Sequence, residues 1–443
     1  MFFSTKNQGQ RTPKKKIDYA PFLRLSEVER SNSGDITLVS STKISFHFSM
    51  LLDPLKCYHS IQCLNKIAQT QRFSVIKKYY DNIFIMIKNA NSISETLRLR
   101  LPNQPILPPS EIINQCLSLI DKIASFSPFF LMKEEIRPKH ITFLYNLLPN
   151  ETAFKALGKL LVLNIDFAKH IINLGIDKIA SKITELNLPL FIWFLGSFAY
   201  FPDLSQYMLP YYEEYIVKNS VSQNEFIRKF CYDALAILVK YSSEMCVWIS
   251  SSPIINTIFT ISPTSAACAK KYIELADDFL TIGMTSFLKE ENTVNTLISV
   301  LQMCFTDSFG LAMIASKVLI SLVRLGFLSI LISSRIDDAL FKFVFGDASF
   351  KEKEAAMKIL CVLFISSPKQ TKIRYLSLRF TDIVSDAIEL GDSELHSYGV
   401  TSLHHLIIIS NEEDDYETLK ISIQEMLDML SLEEYDQIIP PCA

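Results

Sequence analysis

Leu157-Gly-Lys-Leu-Leu161, Leu319-Ile-Ser-Leu-Val323 and Leu360-Cys-Val-Leu-Phe364 share one spacing: an apolar residue, then two more at three and four positions on. A helix buries such a stripe, because 3.6 residues per turn bring i, i+3 and i+4 onto one face. The leading residue recurs as Leu157, Leu195, Leu235, Leu275, Leu319, Leu360 and Leu403, at intervals of 38, 40, 40, 44, 41 and 43 residues. Three positions on stand Leu160, Phe198, Leu238, Asp278, Leu322, Leu363 and Leu406. Four positions on stand Leu161, Ala199, Val239, Phe279, Val323, Phe364 and Ile407. A period near forty residues is the scale of a supersecondary unit that covers its apolar face with its neighbours. Asp278 alone breaks the columns, and is read as either locally solvated or paired with a neighbouring unit.

Between the copies lies a second helical pattern: Ile176, Ile179 and Ile183; Tyr211, Tyr215 and Ile216; Val294, Leu297, Ile298 and Leu301; Leu340, Phe343 and Val344; Ile383, Ala387 and Ile388. Shorter helical stretches follow several long ones, at 165–174, 203–209 and 326–334. Asn150, Asn187, Asn219, Ser262, Asp307, Asp347 and Gly391 separate the units, several where an N-cap is expected. A short, a medium and a long helix in about forty residues resembles the armadillo repeat, with the two-helix HEAT repeat as its relative. The resemblance covers about 110–435 and, less regularly, 50–100, where Asn65-Lys-Ile-Ala68 echoes Asp121-Lys-Ile-Ala124. It implies an all-α fold, a right-handed α-solenoid of armadillo-like repeats whose long helices line a concave groove.

Composition agrees with helices throughout. Of 443 residues only 11 are Gly and 18 Pro, while 49% are apolar, too few turn formers for a many-stranded sheet. A net charge of −3 carries no global footprint for nucleic acid, and none is expected as a partner. Four segments are predicted: a flexible basic arm over 1–45; irregular helical repeats over 46–109, with the Pro-rich stretch Leu101–Pro109 as a loop; armadillo-like repeats over 110–410; and 411–443, the acidic Glu412-Glu-Asp-Asp415 with a capping helix. Length is thus read as the number of stacked units.

Nine cysteines stand singly in apolar stretches and read as reduced, buried thiols. Cys57 and Cys63, with His59 between, are read as core residues rather than a metal site. The apolar runs 188–201 and 312–332 are respectively too short and interrupted by Lys317 and Arg324, so no membrane span is predicted. With no secretory signal read at Met1-Phe-Phe-Ser4, the expected location is cytoplasmic, with the nucleus as the alternative.

Positions two residues either side of the column leucines should face the groove. Upstream these include Lys155, Trp193, Asp233, Lys317 and Lys358; downstream they include Lys159, Ser197, Asp277, Ser321 and His405. Trp193 resembles the groove-lining Trp of nuclear-import adaptors of the armadillo class, although Ser197 stands where those carry Asn and no other unit offers the pair. The competing role is packing between helices. Lys155, Lys159, Lys317 and Lys358 could contact an acidic or phosphorylated segment, or form a solvated face. Lys14-Lys15-Lys16 is a candidate localisation signal, an autoinhibitory tail or simply a flexible arm. His404 and His405 diverge by about 100 degrees on a helix and so do not share a metal; His405 is assigned to the groove and His404 to the packed side. No nucleophile elbow, zinc-protease motif or phosphate-binding glycine loop is present, so no cofactor or metal is expected. The reading is a non-catalytic scaffold or adaptor for a protein or peptide, with a nuclear-import adaptor for basic peptides as the alternative; its oligomeric state is open.

Overall fold

The computed structural model describes residues 41–70, 77–100, 107–126, 136–306, 310–412 and 417–430, all helices and connections with no strand among them. The Lys14–Lys16 run, most of the Leu101–Pro109 stretch and residues 413–416 lie outside the described residues. The chain divides into two compact units, Met1–Ser197 and Phe198–Ala443, a division the column spacing does not mark.

The first unit contains α1 (Ser41–Met50), α2 (Cys57–Thr70), α3 (Lys77–Lys88), α4 (Ala90–Arg100), α5 (Pro109–Phe126), α6 (Pro138–Asn146), α7 (Glu151–Leu163), α8 (Ile165–Leu174), α9 (Ile176–Ala180) and α10 (Leu188–Gly196). Because α1 begins at Ser41, the last positions assigned to the basic arm are helical. Within this unit α2 packs on α5, α5 on α7 and α7 on α10, a ladder of long helices.

The second unit opens with α11 (Ser205–Tyr211) and then alternates long helices with shorter ones, in the order long, short and medium from Ala312 onward. The long ones are α12 (Glu225–Tyr241), α15 (Ala266–Thr281), α17 (Ala312–Arg324), α20 (Phe350–Ser366) and α23 (Ser393–Glu412). Between them stand α13 (Ser243–Ser250), α14 (Ile254–Ile258), α16 (Glu291–Met303), α18 (Leu328–Ser333), α19 (Ile336–Val344), α21 (Lys369–Leu376) and α22 (Phe380–Leu390), with α24 (Glu417–Asp428) following α23. Successive long helices pack on one another, so each unit is an all-α stack of the solenoid type.

All seven column leucines are 0% exposed. Each contributes on the order of 1.5–3 kcal/mol relative to exposure. Of the positions four on, only Ile407 escapes full burial. Helix starts follow side-chain caps: Asn150 accepts from the Ala153 amide at 3.1 Å, and Asn224 from Phe226 at 3.0 Å. Ser349 and Glu352 form a reciprocal capping box on α20. Several predicted separators are displaced by a few residues: Asn224, Ser265 and Ser349 cap where Asn219, Ser262 and Asp347 were expected. Asn187 instead accepts the Thr184 amide at 2.8 Å.

Arg335 and Arg379, at φ 59° and 63°, occupy the left-handed region immediately before α19 and α22. The strain recurs at the same place in consecutive repeats.

Trp193 is 5% exposed within the fully buried run Phe191–Tyr200. Its ring lies over Gly158, where a Cβ would stand 2.8 Å from Cη2 and nearer still to Cζ3. Gly158 is therefore required for α7 and α10 to approach with an indole between them. We predict that Trp193→Ala lowers unfolding free energy by about 3–5 kcal/mol and Gly158→Ala by about 1–3 kcal/mol, read from urea unfolding. Losses below about 0.5 kcal/mol for both would place the ring at the surface.

Candidate functional site

The candidate residues on the long helices are largely joined to neighbouring helices. In the first unit the Lys159 ammonium, mostly buried, meets Asp121 Oδ1 on α5 at 2.7 Å and donates to Ser125 Oγ at 2.5 Å. Lys122 donates to the Asn65 carbonyl at 3.4 Å, and Asn65 Nδ2 donates to the Gln115 carbonyl at 2.8 Å. A polar seam thus crosses α2, α5 and α7. Lys155 stays on its own helix, 2.7 Å from Glu151 one turn earlier.

The second unit repeats the arrangement. Lys271 on α15 meets Asp233 on α12 at 2.6 Å and Glu274 at 3.0 Å. Burial opposes the Lys271 charge, but Asp233 and Glu274 outweigh it and its pKa rises. Asp277 on α15 is attracted by Lys317, an exposed residue of α17, yet burial dominates and the carboxyl is pushed up. Lys358 on α20 bridges Asp392 at 2.7 Å and Glu394 at 3.2 Å at the start of α23. The Glu354 carboxylate accepts the Asp392 amide at 3.1 Å, as Glu225 accepts the Ser265 amide at 3.1 Å one long helix apart. Carboxylates here satisfy amides that a helix start leaves unpaired.

Two assignments are corrected. Trp193 and Ser197 do not line a groove: the indole fills the α7–α10 contact, and Ser197, fully buried, donates to the Trp193 carbonyl at 3.1 Å. A flat apolar ring is worth more against another helix than in water. The histidine pair is reversed: His404 is exposed, whereas His405 is half-buried and accepts from Lys372 Nζ at 3.2 Å through Nδ1, leaving its proton on Nε2. Burial first, then Lys372 and His404, lower its pKa. Lys159, Asp233 and Lys358 likewise pair with charges on neighbouring helices, Lys358 at the exposed start of α23, while Ser321 is half-buried on α17.

Among the described residues no three His, Cys, Asp or Glu side chains converge as metal ligands. Cys57 donates to the Pro54 carbonyl at 3.5 Å, whereas Cys63 meets His59 Nε2 at 3.5 Å, so the thiols serve different surroundings. Burial pushes the Cys57 and Cys268 thiols up to about 11, and Cys304 and Cys361 to about 12, so they remain protonated at neutral pH.

A feature the sequence reading missed lies on the medium-helix side of the second unit. A groove of about 640 Å³ opens among α19, α20, α22 and α24. Phe345, Phe350 and Leu390, at 44%, 49% and 53% exposure, form its apolar wall with the buried Met357 and Met426. Lys353, Arg379, Asp382, Asp386 and Glu425 surround them. Arg379 is fixed by Asp382 at 2.8 Å through Nε, with its guanidinium 4.8 Å from the centre of the Phe345 ring. Three of these apolar residues sit at or beside helix ends, outside the periodic stripe, which was the available signal.

No protein family matches the chain, and no curated protein matches it in sequence. In fold, an engineered protein whose crystal structure came from a structural genomics consortium aligns over 87% of this chain and 98% of its own, at 14% identity and TM-score 0.53. The UNC-45 chaperone, described by features critical for binding and folding muscle myosin, aligns over 91% of this chain at 10% identity and TM-score 0.42, and the chain spans 51% of it. The likeness concerns the fold, a stack of helices. No single described helix is long and apolar enough to cross a membrane.

Asp278, the broken column position, is pushed up to about 6 by burial, then by Asp277 and Glu274, against Lys240 and Lys271. Its folded pKa exceeds the unfolded value of about 3.9, so its penalty is small near pH 4, builds between about pH 4 and 6 and is constant above that. We predict that Asp278→Asn matches the parent in stability near pH 4 and exceeds it by about 1–2 kcal/mol at pH 7, allowing for solvent screening. Parallel denaturation curves at the two pH values check this; a constant difference would refute it.

Proposed function

We propose that the protein is a non-catalytic interaction scaffold of armadillo-like repeats that binds a protein or peptide partner. The observation that carries this reading is the amphipathic groove of the second unit, an exposed apolar wall with fixed charges on an all-helical framework. Preordered helices add little ordering cost on the protein side, so modest contacts suffice for binding. The Cys304 and Cys361 thiols are buried and most candidate charges are engaged within the fold, which supports display over chemistry. Trp193, buried against Gly158, lends no support to basic-peptide capture by a Trp ladder.

Affinity purification of the full chain with mass spectrometry, repeated with Phe350→Asp and Leu390→Ser, tests the reading. We expect a reproducible set of partners, part of which both variants lose while their thermal unfolding stays within a few degrees of the parent. A chain that retains no partner under any condition would overturn it.

A further inference from the structure

We propose that the groove among α19, α20, α22 and α24 receives a basic amphipathic helix from a protein partner; this rests on the scaffold reading above. The walls are four helices and the turns at their ends, with no strand edge among the described residues to pair with an extended strand. A segment desolvated in such a groove must satisfy its own amides, which a helix does internally. Phe345, Phe350 and Leu390 supply the apolar surface that residues spaced i, i+3, i+4 and i+7 would cover.

Charge selects the sign of the polar face. Arg379 is already spent on Asp382 and the Phe345 ring. Among the lining residues Lys353 then stands against Asp386 and Glu425, and Glu389 acts on Asp386 from the same helix. Asp386 sits in an excess of acid: burial, then Asp382 and Glu389, push its carboxyl up, with Lys353 opposing. An occupant bearing Lys or Arg beside its apolar stripe relieves that excess, whereas an acidic one adds to it. The chain's own residues 431–443, which follow α24, carry Glu433, Glu434 and Asp436 with no Lys or Arg, and so do not match.

The test uses two fluorescent peptides of about four helical turns with one Leu/Phe pattern at i, i+3, i+4 and i+7, and Lys or Glu elsewhere. They are titrated into the full-length chain carrying labelled methionine methyl groups. The Lys peptide should bind roughly tenfold or more tightly than the Glu peptide, weaken with added salt, and shift the Met357 and Met426 methyl signals. Asp386→Lys combined with Glu425→Lys should remove most of that preference, and Phe350→Asp should weaken both peptides. Equal binding, shifts at other methionines only, or no binding overturns the assignment. So does a crosslink from a photoreactive group at Ser385 to residues 14–25, to 431–443 or to a second copy of the chain. If the peptides fail while purification still returns partners, the groove assignment falls and the scaffold reading stands; if purification returns none, both fall.

Discussion

Each long helix in this chain must hide one apolar stripe, and the long helices beside it are what hide it. The seven column leucines are wholly buried, although each belongs to a helix that alone would expose them. This mutual covering explains the composition: a chain of 443 residues reaches 49% apolar content because each unit presents buried surface to its neighbours rather than to one central core. It also explains the caps. A helix whose stripe must meet its neighbours in register has to start at a defined residue, and Asn150, Asn224, Ser265 and Ser349 mark those starts.

The same constraint decides what the charges do. Stacking brings charges of neighbouring long helices together, so a Lys of one meets an Asp or Glu on, or at the start of, the helix before or after it: Lys159 with Asp121, Lys271 with Asp233, Lys358 with Asp392 and Glu394. A partly buried cation without its carboxylate would be costly. These pairs tie neighbouring helices as the leucines do, with direction added, because a shift of one turn separates each pair. Asp278 is the counterexample, an acid on the apolar stripe whose charge is resisted by its surroundings.

Periodicity made the helices and their order legible, because a 3.6-residue stripe repeated every forty residues has few other physical solutions. Displaced caps show its limit: Asn219 and Ser262 are plausible starts, but local turns place the helix ends a few residues on. The site was less legible. Positions two residues from a column leucine point away from that stripe, yet in a stack they point at the next helix as readily as at water. Trp193 shows this most plainly, since nothing within its own segment announces that Gly158, 35 positions earlier, leaves the space its ring fills. The groove was missed for the opposite reason: Phe345, Phe350 and Leu390 belong to no repeating pattern, and only the meeting of four helices turns them into one surface.

The long, short and medium order of the helices from Ala312 to Leu390 carries a consequence for descent. Residues from Ala312 to Val344 form one complete set, held to its neighbours by a leucine stripe that every other set also carries. A gene that duplicated or lost such a stretch in frame would lengthen or shorten the array by one step while leaving the remaining steps their partners. The polar pairs would resist that freedom, because Lys358 is matched to Asp392 and Glu394 and to no generic successor. Leucine columns thus make the array easy to extend, whereas the charged pairs tie particular neighbours together.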